Sequence, residues 1–291
     1  MKHLRKFKDI EEYNNFLTSG DYIAPNVSVL PLSVKYNYAG SPMYIEAIDN
    51  IIINITSKAK DGYYSKDLIT WEAFSSDNIS IEASIGEKVY FKASGSRALP
   101  PSGPCTFEVT GACNVGGNVL SMRYGDDYLK NTEFDSSHGL QSMFANVTTL
   151  VNAKDLVLPT KVNSNCYYRM FYGCTNLKTA PTLPAVELTT RSSDGTGCYH
   201  QMFYGCTNLR YAPTLPAKVL SKKSYYQMFY GCTSLRYIKM LATDITAANS
   251  LTEWTSGVFA SGTFVKSETA SWDISGVNGI PDGWTIETAT E

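Results

Sequence analysis

The chain has 291 residues, 43% of them hydrophobic and 18% charged, with 25 Lys and Arg against 27 Asp and Glu for a formal charge of −2. That supplies enough apolar material for a sizeable core, in two domains or in one domain with appended elements. The near-neutral balance gives no electrostatic ground for nucleic acid or an anionic membrane as partner. No run of about 18 apolar residues marks a membrane-inserted helix, so membrane insertion is not expected.

The start, Met1-Lys-His-Leu-Arg-Lys, lacks the apolar segment of a secretory signal. Synthesis in a cytoplasm without a signal peptide is therefore expected. Residues 1–38 read as an N-terminal docking arm followed by an extended segment. Phe7, Ile10, Tyr13 and Leu17 fall near helical spacing, Asp9-Ile-Glu-Glu12 places acids at the start, and Ser19-Gly20 ends the pattern. An arm this short does not fold alone and is expected to dock on something else.

Residues 39–122 read as a small all-β, sandwich-like domain. Short β-rich segments recur at roughly ten-residue intervals, among them Tyr44-Ile-Glu-Ala47, Ile51-Ile-Ile-Asn-Ile55, Ile79-Ser-Ile-Glu-Ala83 and Val89-Tyr-Phe-Lys-Ala93. Trp71 is the expected core aromatic. Asp126-Asp127 reads as a solvated turn rather than a cation site, because the rest of a ligand loop is missing.

Residues 123–242 carry the dominant feature. Met170-Phe-Tyr-Gly-Cys-Thr-Asn-Leu177 recurs at Met202–Leu209 and, with one change, at Met228-Phe-Tyr-Gly-Cys-Thr-Ser-Leu235; a degenerate copy starts at Met143-Phe144. The first two full copies continue into Ala-Pro-Thr-Leu-Pro-Ala. Such self-similarity predicts a solenoid of about four units, each burying its apolar face on its neighbours. Met170, Phe171, Cys174 and Leu177 fall at i, i+1, i+4 and i+7, which predicts one face of a short helix directed at the core. Asn176 is expected to close that helix, and the proline-bearing stretch to be extended but irregularly paired. Tyr172 falls off the buried stripe. Tyr172, Tyr204 and Tyr230, with Tyr168, Tyr199 and Tyr226 beside them, are thus the candidate binding residues. An insertion at Arg191–Gly197 lengthens one repeat interval and is expected to project as a loop. Residues 243–291, where the phrase is lost, read as a C-terminal cap.

Seven cysteines occupy positions 105, 113, 166, 174, 198, 206 and 232. An odd count argues against a complete disulfide framework. Those in the repeats are expected to form packed columns, with no metal, because no closely spaced ligand pair occurs there. Cys105 and Cys113 could close a local disulfide, though a reduced pair suits a cytoplasmic product. The three histidines (His3, His138, His200) belong to no catalytic motif, and no phosphate-binding loop or nucleophile elbow is present. Neither catalysis nor a cofactor is expected.

At the Met-Phe-Tyr-Gly-Cys-Thr-Asn-Leu repeats the chain resembles surface leucine-rich-repeat proteins of the bacteroidal and treponemal adhesin type, found in gut Bacteroidetes and their phages or prophages. Tyr64–Trp71 and Asn118–Asp126 resemble the β-domain that precedes such repeats, and Gly257–Phe264 and Gly279–Thr285 resemble their caps. The resemblance implies an α/β leucine-rich-repeat solenoid after the β-domain, an extracellular adhesion or recognition role, and no catalytic residues. The expected function is a non-enzymatic virion structural and adhesion protein of a bacteriophage, as a tail or head fibre, appendage or decoration protein. It would contact other virion proteins through the arm and a host-surface glycan or protein through the repeats, as a homo-oligomer. The alternative is an adhesin or glycan-binding protein on a bacterial cell surface.

Overall fold

The computed structural model describes residues 40–57, 62–74, 79–94, 105–134, 139–188 and 197–289. The docking arm with Phe7, Ile10, Tyr13 and Leu17 lies outside the described residues, as does most of the insertion at 191–197. Strands are β1 (Met43–Ala47), β2 (Ile51–Ser57), β3 (Gly62–Ser65), β4 (Glu72–Phe74), β5 (Ile79–Ala83), β6 (Lys88–Ala93), β7 (Cys105–Thr110), β8 (Cys113–Asn118), β9 (Leu150–Val157), β10 (Tyr237–Met240), β11 (Thr263–Ser267) and β12 (Thr285–Ala289). Helical structure among the described residues is limited to α1 (Ser121–Tyr124) and a 3-10 helix at Gly125–Lys130.

Alternating apolar residues build the N-terminal half. In β1 and β6 every second side chain is buried, as a strand with one face on a core requires. Sheet β4-β3-β6-β1-β8-β9 faces sheet β5-β2-β7, and Phe91 meets Phe107 edge-on between them at 4.9 Å. Trp71 is not in that core. It is half-buried, with the Lys92 ammonium 4.0 Å from its ring centroid, and Phe74, Phe91 and Phe107 fill the interior instead. Asp126 and Asp127 each take a lysine, Lys92 at 2.7 Å and Lys130 at 2.6 Å.

The division at residue 122 is crossed by one sheet. β8 pairs in parallel with β9, which belongs to the degenerate first repeat. The core runs on without a break, since Phe107 of β7 stacks on Phe144 at 5.7 Å.

The α/β leucine-rich-repeat solenoid expected from the sequence does not form. Among the described residues the three sheets have six, three and three strands, none running through the repeats as a solenoid sheet, and the described residues of 143–235 contain no helix. Two physical causes account for this. The first is proline. No strand bridge joins 177–188 to 209–220 among the described residues, and these stretches carry Pro181, Pro184, Pro213 and Pro216, which donate nothing to a ladder. Where the prolines disappear, β10 pairs in parallel with β11, and β11 with β12.

The second cause is backbone hand. Asn165, Arg169 and Gly173 have φ of 57°, 56° and 69°, and Lys223, Gln227 and Gly231 repeat the pattern at 54°, 48° and 72°. A left-handed residue every fourth position excludes an α-helix. The chain instead makes overlapping turns, in which Met170, Tyr172 and Cys174 donate backbone N–H bonds three residues back, to Tyr167, Arg169 and Phe171. The residues between them bond outward to the next copy: Tyr167, Arg169, Phe171 and Gly173 donate to the carbonyls of Cys198, His200, Met202 and Tyr204. One series of such bonds threads the molecule, Phe107 to Met143, Phe144 to Met170, Phe171 to Met202, Phe203 to Met228 and Phe229 to Trp254, at 2.9–3.0 Å.

The last link reveals a fifth turn unit inside the expected cap. Asn249, Glu253 and Gly257 have φ of 57°, 49° and 75° and occupy the places of Lys223, Gln227 and Gly231. Trp254 within this unit, and Trp272 and Trp284 beyond it, donate their indole N–H to the carbonyls of Gly279, Ala242 and Phe259, closing the C-terminal end.

Met170, Phe171, Cys174 and Leu177 are fully buried, as are their counterparts in the next two copies, although turns rather than a helix bury them. Phe144, Phe171, Phe203 and Phe229 stack at 5.5–5.8 Å. The three cysteines of the repeated phrase donate their thiols to the phenylalanine carbonyl one copy back: Cys174 to Phe144, Cys206 to Phe171 and Cys232 to Phe203, at 3.0–3.1 Å. Asn176 closes no helix; it is exposed and accepts from Asn208 Nδ2 at 3.2 Å.

Phe203→Ala is expected to cost about 3–5 kcal/mol by denaturant unfolding, from lost burial and the cavity between two rings. At Gly205 a Cβ would find nothing nearer than 3.8 Å, so Gly205→Ala should cost only the backbone strain of about 1–2 kcal/mol. Gly205→Asn should cost less, as Asn146 holds the corresponding place with φ 62°.

Candidate functional site

The turn units bring side chains of equivalent position into rows, and three rows share one face. Tyr172, Tyr204 and Tyr230 form the first, their rings stacked at 4.7 Å with interplanar angles of 14° and 4°. Burial, followed by the neighbouring phenols of Tyr172 and Tyr230, raises the Tyr204 pKa above its ordinary value. The row has defined ends, since Ala145 holds the place of Tyr172 in the first unit and Ser256 that of Tyr230 in the fifth.

A second row is Tyr168, His200 and Tyr226. Tyr168 and His200 meet edge-on at 5.0 Å, and His200 and Tyr226 lie tilted at 4.6 Å. Burial, then the charges of Lys223 and Arg169, pushes the His200 pKa down to about 4. The imidazole is therefore neutral at physiological pH and serves as a third ring.

Between the two rows runs a rail of left-handed residues. Arg169 Nε donates to Gln201 Oε1 at 2.6 Å, Gln201 Nε2 to Gln227 Oε1 at 2.5 Å, and Gln227 Nε2 to Glu253 Oε2 at 2.6 Å. The rail begins in a cation and ends in an anion, so every amide along it is polarised in one direction. The Arg169 guanidinium lies 5.0 Å from both the Tyr168 and the Tyr172 ring centroids, tying the rows together.

Of the six candidate tyrosines, Tyr168, Tyr172, Tyr204, Tyr226 and Tyr230 are half-buried on this face. Tyr199 is not on it. It is 1% exposed and stacks between Tyr167 and Tyr225 in an interior column that ends at Trp254. The residue equivalent to Tyr168 and Tyr226 is His200, so Tyr199 cannot reach a partner. The paired Tyr-Tyr of the second and fourth units, aligned with Tyr199-His200 in the third, is the signal that identifies this register. The rail was not anticipated from the sequence either; Arg, Gln, Gln and Glu immediately preceding each Met (Trp254 in the fifth unit) form its signature.

The remaining chemistry is quiet. All seven cysteines are free and buried, Cys105 and Cys113 included. Burial raises the repeat thiols, Cys198 and Cys232 to about 12, which suppresses the thiolate that nucleophilic or metal chemistry needs. Among the described residues no group of three or more His, Cys, Asp and Glu is placed to hold a metal, and no helix is long and apolar enough to cross a membrane. No family model, curated protein or solved structure matches the chain.

The His200 shift has a consequence for acid stability. A histidine whose folded pKa lies near 4 against an ordinary 6.5 contributes stability that is present above pH 6.5 and is lost as pH falls toward 4. His200→Tyr, the residue of both neighbouring units, should reduce the loss of melting temperature between pH 6.5 and 4 relative to the parent chain. Equal losses in the two proteins would show that the histidine is not held neutral.

Proposed function

We propose that this chain is a non-enzymatic recognition protein, and that the face formed by Tyr172, Tyr204 and Tyr230 with Tyr168, His200 and Tyr226 is its binding surface. The supporting observation is the stacked tyrosine row itself, three half-buried rings at one spacing on copies joined by backbone hydrogen bonds. Rings already in register lose little side-chain entropy on binding, which is the main cost of immobilising a flexible surface. Stacking also defines how the face works. Ring faces within the row are occupied by one another, so a partner meets edges and phenol hydroxyls in a regular line. A ligand with its own repeat, such as a surface polysaccharide or a row of identical subunits, matches such a line through many weak contacts.

The same reading places the chain on a particle or cell surface, first as a virion fibre, appendage or decoration protein and otherwise as a bacterial surface adhesin. Oligomerisation would multiply the contacts made by each face.

Combined Tyr172→Ser, Tyr204→Ser and Tyr230→Ser substitution should weaken binding to host cells or their isolated surface glycans at least about tenfold, an energy of about 1.4 kcal/mol. Unchanged binding by a folded variant would remove the face from consideration. Mass spectrometry of purified phage particles should detect the chain, and deletion of residues 1–20 should release it. Its presence in the host envelope instead would select the adhesin reading.

A further inference from the structure

The tyrosine row stops one unit short of the β-domain, and a groove opens there. Ala145 stands where a fourth tyrosine would, so among the described residues no further ring stacks on Tyr172 on the side away from Tyr204. The space beyond it, about 580 Å³, is lined by Tyr172, Arg169, Ala145 and Asn146 on one side and by Asn54 and the edge strand β7, with Glu108, on the other.

Three features of this groove point to one ligand chemistry. Arg169 spends only Nε on the rail, and its terminal nitrogens carry no hydrogen bond or ion pair among the described residues. A guanidinium fork with free donors suits a carboxylate. Glu108 stands on the opposite wall, exposed and without an ion-pair partner among the described residues. A second carboxylate there disfavours a doubly charged ligand such as phosphate but accepts hydrogen bonds from hydroxyls. Asn54 and Asn146 add amides that both donate and accept. The groove therefore combines one aromatic face, one cation and a rim of mixed donors and acceptors. Its complement is a ring that is apolar on one face, hydroxylated around its edge and singly negative.

We propose that this groove binds an acidic sugar residue of the hexuronic acid class, its pyranose face on Tyr172 and its carboxylate on the Arg169 guanidinium. This rests on the recognition reading above and extends it by naming the ligand's chemical class and the end of the row where it is held. The rail holds the arginine for that purpose, because Gln201 takes Nε while the side chain lines the groove.

The test uses the full chain with methyl glucuronide and methyl glucoside as probes, titrated at low ionic strength and followed by calorimetry or NMR. Methyl glucuronide should bind at least tenfold more tightly than methyl glucoside. Arg169→Gln, which places the neighbouring units' residue in the rail, should abolish that preference. Ala145→Tyr, which extends the row by one ring, should fill the groove and abolish binding of both probes, with melting curves confirming a folded protein. Equal affinity for the two probes, no binding of either, or glucuronide binding that survives both substitutions would overturn the proposal. Host-cell binding by Tyr204→Ser/Tyr230→Ser separates this result from the broader reading. If that variant loses host binding while glucuronide fails to bind the parent chain, only the groove assignment falls. If it keeps host binding while glucuronide fails to bind the parent chain, the recognition face itself falls.

Discussion

The hydrogen bond from the Phe171 N–H to the Met202 carbonyl, with its counterparts at Phe107, Phe144, Phe203 and Phe229, fixes how far apart successive copies can sit. Two peptide groups so joined hold their chains at about the spacing of adjacent β-strands, 4.7–4.9 Å. Any side chain that recurs at the same position then meets its own kind at close to ring-stacking distance. The phenylalanine core, the interior Tyr167–Tyr199–Tyr225 column and the half-buried surface row of tyrosines all follow from that spacing. The backbone strain of non-glycine residues at positive φ is tolerable for the same reason. Each such residue costs about 1–2 kcal/mol, and Arg169, Gln201 and Gln227 each recover part of this through an inter-copy backbone bond and another bond along the rail.

Much of the packing was legible in the sequence. A repeated Met, Phe, Cys and Leu must be buried when nothing else is available to cover them, and these residues are fully buried. The conformation was not legible, because the i, i+1, i+4, i+7 pattern has two solutions. An α-helix buries those positions, and so does a run of overlapping turns with a left-handed residue at every fourth place. What distinguishes them is the backbone hand of Arg169, Gln201 and Gln227, and residues of these types carry no signal for φ above zero in the way glycine or asparagine does. The fifth unit was hidden for a related reason. Trp254, Thr255 and Ser256 stand where the phrase has Met, Phe and Tyr, so only the spacing of Asn249, Glu253 and Gly257 survives to mark it.

The structure sets Tyr172, Tyr204 and Tyr230 in one surface row and buries Tyr199, one residue away from the position that shares their face. Alignment on the Met-Phe-Tyr-Gly core fixes the row that follows the methionine. Two adjacent aromatic positions precede it, Tyr167-Tyr168, Tyr199-His200 and Tyr225-Tyr226, and choosing by residue type rather than by offset selects the buried member in the middle unit. The prolines were informative in the opposite sense. They argued against regular pairing in the stretch after each copy, and the gap between 177–188 and 209–220 is the physical reason that the repeats hold together through their turns.

The Arg169–Gln201–Gln227–Glu253 rail also constrains how such a chain can change in length. A glutamine both accepts and donates, so a unit bearing one can be duplicated in tandem, and each new amide inherits the polarity of the line. A duplicated arginine would face another arginine with no acceptor between them, and a duplicated glutamate would set two carboxylates together. Growth is thus open in the middle and closed at both ends. Gene duplication acting on this fold would lengthen the tyrosine row one ring at a time while preserving the β-domain and the tryptophan-sealed terminus on either side.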